Sequence, residues 1–400
     1  SAETFRKSRR ENFDSELIFS WFNNFGFLFL ENHVGKLLIS PGKNKIFKKT
    51  IPFCISRVRS LSLHFDNLIE KPMKTFFYLL LALCCAACAP KKQPVSLIFD
   101  TDMAPDYDDV GAMAVLHALA DSGEVDILAT VSSNKQETTA PCIDVLNTYF
   151  GRPGIPVGAP KGEGVSMDTW HKGLKWTEEL PSRFPHKVES ASQAEDAVSV
   201  YRRVLNAQPD TSVVVVTVGF FTNLKDLLES GPDADSPLSG KELVAAKVKR
   251  LVSMAGYFPE GKEFNVMMDA PASQYVFENW PTPIVLSGFD IGEKIITGKQ
   301  TAAMPVEGSP VREAYKMCLE QDNPEGRNSW DQSAVLVAVR GAEPYFGLET
   351  GTLTVTPADS NDHWTPDPAG RHARLLPKMP TEQVTATIEA LMMHQPTVRK

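Results

Sequence analysis

Residues 95–115 read VSLIFDTDMAPDYDDVGAMAV, and this stretch decides the fold. Val95, Leu97, Ile98 and Phe99 form a short apolar run bounded by loop residues, the pattern of a buried strand. Asp100, Asp102, Asp106, Asp108 and Asp109 follow, and Val110, Met113, Ala114 and His117 then recur at helical spacing. Carboxylates this dense repel one another and are tolerated where a hard cation, which takes about six to eight oxygens, sits among them. Asp108 and Asp109 open the helix, whose positive end favours negative charge. In open α/β sheets such a strand-to-helix crevice is where ligands bind. The plain alternative is a solvated acidic turn.

Outward from this stretch, strands and helices alternate. Residues 125–131, 155–157, 212–218, 250–254, 284–286 and 351–355 read as strands. Residues 140–150, 194–207, 221–228, 272–279, 309–320, 331–339 and 382–393 read as helices. The run SVVVVTV at 212–218 suits a central parallel strand. The alternation predicts an α/β fold: one domain over 95–400, with a mostly parallel central sheet and helices on both faces. Residues 158–186, rich in Gly, Pro, Trp and charge, read as a long lid or binding loop.

The 400 residues carry a formal charge of −8, unevenly: residues 1–87 hold +6 and the rest −14. An acidic region of this kind argues against nucleic acid as a partner and suits a bound cation. Residues 1–72 hold 10 of the 22 Phe and show no sustained periodicity, the signature of an upstream leader without a native fold. Met73-Lys74, the apolar run Phe76–Leu81 and the small residues ending at Cys88 describe a secretory signal peptide over 73–87. Cys88 resembles the lipidated cysteine of bacterial lipoproteins, although Cys85 stands where that site usually has Leu. Residues 88–94 would then tether the domain to the cell envelope, with membrane contact only through the lipid. A native N-terminal extension followed by an internal core helix is the rival reading. Of six Cys, only Cys142 and Cys318 fall in the domain, where buried free thiols are expected.

Three further stretches carry polar chemistry: Val218-Gly219-Phe220-Phe221-Thr222-Asn223, Glu263-Phe264-Asn265 and Trp330-Asp331. Together with DTDMAPDYDD, and in this order, they resemble the signatures of the inosine/uridine-preferring nucleoside hydrolases, over roughly residues 95–340. The resemblance implies hydrolysis of a nucleoside's N-glycosidic bond with Ca2+ as cofactor. Asp102, Asp109, the Val218 carbonyl and Asp331 would ligate the ion, and Asp102 would also take the proton of the attacking water. Asp108, Asn134, Glu263 and Asn265 would hydrogen-bond the sugar, and Asp100 would support the cluster. A homo-oligomer is also in keeping with the family.

Two departures bear on specificity. Five residues, Met103–Tyr107, separate the second and third acids of the motif, where the short family form has three, so Asp106 is either a further ligand or a supporting acid. Trp330 stands where many members carry a His that protonates the leaving base. That resembles the purine-preferring branch, in which Trp stacks on the base and would ease its protonation; packing in the core is the alternative. Trp170 and His171, in the long loop, are candidates to cover the base, or plain surface residues. His363 and Trp364, in a turn-rich segment, are candidates to reach the site, and His117 reads as a packed helix residue. Two other functions fit part of the pattern. Phe99-Asp100-Thr101-Asp102 also resembles the Mg2+-dependent phosphoryl-transfer motif of haloacid dehalogenases, which leaves Asp108-Asp109 and Glu-Phe-Asn unexplained. A non-catalytic nucleoside- or glycoside-binding surface lipoprotein would have no need of Asp102 as a base.

Overall fold

The computed structural model describes residues 93–396. The expected leader 1–72, the signal segment, Cys88 and most of the tether lie outside the described residues.

The strands are β1 (Val95–Thr101), β2 (Val125–Ser132), β3 (Val157–Ala159), β4 (Glu195–Asp196), β5 (Val213–Thr217), β6 (Val248–Met254), β7 (Glu260–Gly261), β8 (Ile284–Ser287), β9 (Ile296–Thr297), β10 (Arg327–Asn328), β11 (Phe346–Thr356), β12 (Asn361–Pro366) and β13 (His372–Pro377). Eleven of them form one sheet in the order β4-β3-β2-β1-β5-β6-β8-β13-β11-β12-β7. Pairing is parallel from β4 through β13, and β11, β12 and β7 add an antiparallel margin. The predicted α/β fold with a mostly parallel sheet is therefore present. Apolar side chains pack on both faces, one layer including Leu97, Phe99, Val214 and Val216, the other Ile98, Val213, Val215 and Leu251. Among the described residues no helix is long and apolar enough to cross a membrane.

The strand order reverses at β1: β2 to β4 build outward on one side, and β5 returns to the other. This switch point opens a crevice beyond the carboxyl ends of β1 and β5. The helix Asp108–Asp121 leaves it buried along most of its length, so it is apolar on nearly every side. The helices Trp330–Arg340 and Thr381–Met392 pack against it.

Three local expectations change. The loop 158–186 contains a helix, Trp176–Arg183, held by the buried side chains of Trp176, Thr177 and Leu180. A helix at Gly240–Lys247 was not predicted, although Ser239 and Glu242 form the capping box that announces it. The expected late strand 351–355 lengthens to Phe346–Thr356 and gains β12 and β13 as partners. The turn-like composition of NDHWTP conceals β12, where Asp362 and Trp364 alternate inward. Cys142 and Cys318 are buried free thiols, as expected.

Candidate active site

The ends of β1 and β5 meet without room for a side chain at Gly219. A Cβ there would lie 2.4 Å from the Asp102 nitrogen and 2.5 Å from Ser133 Oγ. Val218 N–H donates to the Asp100 carbonyl at 2.8 Å, and Phe220 N–H donates to Ser133 Oγ at 3.0 Å. Asn223, the last residue of the second motif, donates to Asp100 Oδ2 at 3.1 Å and to the Ser132 carbonyl at 2.8 Å, tying three strand ends together. Asp100 also accepts from the Tyr201 hydroxyl at 2.9 Å, and burial raises its pKa to about 7.

The acids converge from distant segments. Asp109 Oδ1 accepts from the Thr101 hydroxyl and, at 3.2 Å, from Met103 N–H, so the loop clasps its carboxylate. Asp108 Oδ2 accepts from the backbone N–H groups of Trp330 and Asp331 at 3.2 and 3.3 Å. The first motif thereby caps the helix that carries the last one. Burial, then the charges of Asp109, Asp106 and Asp108, push Asp102 well above the usual carboxylate range. Burial followed by Asp108, Asp109, Asp106 and Asp102 does the same to Asp331. Asp109 rises to about 7, through burial first and the Asp106 charge second. Such shifts mark carboxylates held together with too little positive charge. An all-oxygen donor set of this kind fits a hard divalent cation, and oxygens of Asp106, Asp108 and Asp109 lie within 4.8 Å of one another.

Asp106 has a partner that sequence reasoning missed. It pairs with the Arg327 guanidinium, whose carbon lies 5.0 Å over the Trp330 ring and 5.7 Å from the Tyr107 ring. Burial alone would raise Asp106; the Arg327 charge and hydrogen bonds outweigh it and hold its pKa below the ordinary value. A lone cation three residues before Trp330, in an otherwise acidic site, was the available signal.

The expected sugar contacts differ in what they now hold. Asn134 donates to the Asp102 and Met167 carbonyls at 2.9 and 2.8 Å and accepts from Gln136 and Met167 N–H. Its amide thus pins the acid loop and the long loop, and all four of its hydrogen-bonding positions are taken. Asn265 donates to the Val218 carbonyl at 3.2 Å and to that of Met254 at 3.3 Å. Glu263 is buried and caps its own helix, accepting from Asn265 and Val266 N–H, each at 3.1 Å; burial raises its pKa to about 7. Its backbone N–H donates at 3.0 Å to Asp362, which also accepts from Tyr257 N–H. The turn-rich C-terminal segment therefore reaches the site through Asp362. Trp364 instead packs 5.4 Å from Phe258, and His363 is exposed.

Aromatic side chains border the cluster. Trp330 is part-buried, 5.0 Å from Phe289, and donates its indole N–H to the Phe289 carbonyl at 2.9 Å. Trp170 is 48% exposed, stands edge-on to Phe264 at 5.2 Å, and donates its backbone N–H to the Pro105 carbonyl in the acid loop. His171 is buried and pairs with Asp322, so it secures the long loop. His117 packs on Phe150 and hydrogen-bonds Asn147, remote from this chemistry, as expected.

A family model described as inosine-uridine preferring nucleoside hydrolase matches residues 97–384. Comparison with curated protein sequences gives no match. Among solved structures, a plant nucleoside hydrolase matches with 16% identity and a TM-score of 0.56, covering 75% of this chain and 99% of that one. An inosine-uridine preferring nucleoside hydrolase from Bacillus anthracis matches at 14% and 0.56 (75% and 99%), and a purine-preferring ribonucleoside hydrolase from Gardnerella vaginalis at 17% and 0.55 (74% and 99%). Identities this low carry the fold, and it is the family model, spanning most of the chain, that carries the assignment. The phosphoryl-transfer alternative leaves Asp108-Asp109 and Glu263-Phe264-Asn265 unexplained. The chain belongs to the inosine-uridine preferring nucleoside hydrolase family, enzymes that hydrolyse N-ribosyl bonds.

Proposed function

We propose that this protein hydrolyses purine ribonucleosides to free base and ribose, with Ca2+ as cofactor. What supports the reading is a set of buried, mutually repelling carboxylates, Asp102, Asp109 and Asp331, beside the acid cluster of Asp106, Asp108 and Asp109, whose oxygens lie within 4.8 Å of one another. Calcium suits a crowded, irregular set of carboxylate and carbonyl oxygens better than magnesium, which demands octahedral geometry and keeps several waters. The bound ion would supply Lewis acidity to the attacking water and an anchor for the two ribose hydroxyls.

The chain's own residues do the rest. Asp102, buried within the acid cluster, would accept the proton of the attacking water. Positive charge growing on the ribose meets a ring of buried carboxylates already in position, so little reorganisation is needed as the bond breaks. Asp108 and Glu263 are the sugar contacts, Asn265 and Asn134 hold the Val218 and Asp102 carbonyls in place, and Asp106 remains with Arg327. The rings of Trp330 and Trp170 would border the base, and an aromatic border favours a purine. The N-terminal sequence supports an envelope-anchored form lipidated on Cys88; intact mass of the mature N-terminus tests that separately, and an unlipidated Ser1 removes it. Assembly into a homo-oligomer belongs to the same proposal, with light scattering as its test.

A panel of purine and pyrimidine nucleosides, assayed with and without chelator, tests the function. Base release from purines that stops on chelation and returns with Ca2+ is expected. Turnover indifferent to chelation would overturn the cofactor, and pyrimidine turnover as fast as purine would overturn the preference.

A further inference from the structure

Two sets of candidate oxygen ligands share Asp109. One comprises Asp106, Asp108 and Asp109, with oxygens within 4.8 Å of one another. The other is the proposed ligand set of Asp102, Asp109, Asp331 and the Val218 carbonyl. We propose that Arg327 selects between them, occupying Asp106 so that the cation settles among the second set. This rests on the proposed cation-dependent function and names a positioning residue within it.

Arg327 is built for a fixed post. Its guanidinium lies between the Tyr107 and Trp330 rings, at 5.7 and 5.0 Å. One terminal nitrogen pairs with Asp106 Oδ2, while the other carboxylate oxygen of Asp106 accepts from Asp108 N–H at 3.3 Å. The Arg327 side chain is 14% exposed, and its Nε stops 4.0 Å from Asp108 Oδ1 with no hydrogen-bond partner. A guanidinium keeps its charge at any working pH and holds planar stacks that an ammonium does not. Asp106 is thus neutralised by a side chain, and Asp108 Oδ1 is left without a close cationic partner. Without Arg327, the charge of Asp106 falls to the cation. An ion drawn toward Asp106 fills with carboxylate a position that a ribose hydroxyl would otherwise take, and it shifts the sugar away from Asp102.

Loss of a neighbouring cation and loss of an ordering contact act in opposite directions on metal binding, which makes the test decisive. Ca2+ affinity of chelator-treated protein is measured by calorimetry, beside kcat and KM. For Arg327→Gln we expect Ca2+ affinity equal to or tighter than wild type, with kcat lower by about tenfold or more. The double variant Asp106→Asn/Arg327→Gln, which removes the freed acid, should regain most of the lost kcat at wild-type affinity. Weaker Ca2+ binding in Arg327→Gln, an unchanged kcat, or no recovery in the double variant overturns the proposal. If the single variant fails to fold, the double variant decides: a tenfold loss of Ca2+ affinity there makes Asp106 a ligand and refutes the selection. Wild-type protein that binds no divalent cation would instead sink the proposed function itself.

Discussion

Replacing Gly219 with Ala perturbs the site without touching a charged group. The new Cβ would lie 2.4 Å from the Asp102 nitrogen, 2.5 Å from Ser133 Oγ and 2.8 Å from Asp102 Cβ. Ordinary contact begins near ~3.5 Å, so the shortfall is about 1 Å. No flexible chain end can yield, because two of the three neighbours belong to the backbone and Cβ of Asp102. Relief must come from parting the ends of β1 and β5, which also strains the 3.0 Å bond from Phe220 N–H to Ser133 Oγ. Overpacking of this kind costs about 1–3 kcal/mol and lowers the melting temperature by roughly 2–8 °C. Activity should suffer more. Val218 and Asp102 ride on the two parting segments, and a displacement near 1 Å at reacting groups costs on the order of 100-fold in rate. Purified Gly219→Ala should therefore melt a few degrees early, keep its circular dichroism, and lose about two orders of magnitude in kcat/KM on inosine. A variant within threefold of wild type in kcat/KM would refute the claim that this close approach sets the site.

Other perturbations reach different parts of the reasoning. Asp102→Ala should reduce kcat by about 10²–10⁴-fold, while its melting temperature in chelator stays level or rises because one mutually repelling acid is gone; unchanged turnover would dismiss Asp102 as the base. Trp330→Ala should lower purine kcat/KM more than pyrimidine kcat/KM, and equal losses would confine Trp330 to packing against Phe289 and Arg327. Asp362→Asn puts an amide where a carboxylate accepts two backbone N–H groups; about 1–3 kcal/mol of stability should be lost, and KM should rise several-fold as Glu263 loosens, whereas unaltered KM would detach Asp362 from the site. Asp100, Asp109 and Glu263 are each raised to about 7 by burial, from 3.8, 3.8 and 4.5. The folded protein then holds protons that the unfolded chain releases, so the contribution is full below the unfolded values and disappears as pH rises through about 7. The melting temperature in chelator should fall between about pH 5 and pH 7.5, and Ca2+ should reduce the fall; a rise over that interval in chelator would contradict the burial of these groups.

How much could be read from the chain depended on the range of the signal. Periodicity is local, and it located the strands and helices that converge on the switch point. Four short motifs carried the family resemblance because ligand chemistry restricts residue type. Pairings across long separations left no such trace. Arg327 meets Asp106 from 221 residues away, and Asp362 meets Glu263 from 99. Asn134 carries the right chemistry for a sugar contact, yet the fold commits its amide to the Asp102 and Met167 backbone. Residue type alone does not reveal which hydrogen-bonding partner a polar side chain takes.

The antiparallel margin of the sheet has an outcome for dissecting the enzyme. A chain cut after Arg340 would keep all of the proposed ion ligands and still lack the carboxylate that steadies the Glu263 turn, along with the strand that delivers it. Constructing a minimal catalytic fragment from the conspicuous motifs would thus leave out the brace of one wall, and screening libraries confined to those motifs would pass over changes in Asn361–Pro366 that retune substrate grip from the rim.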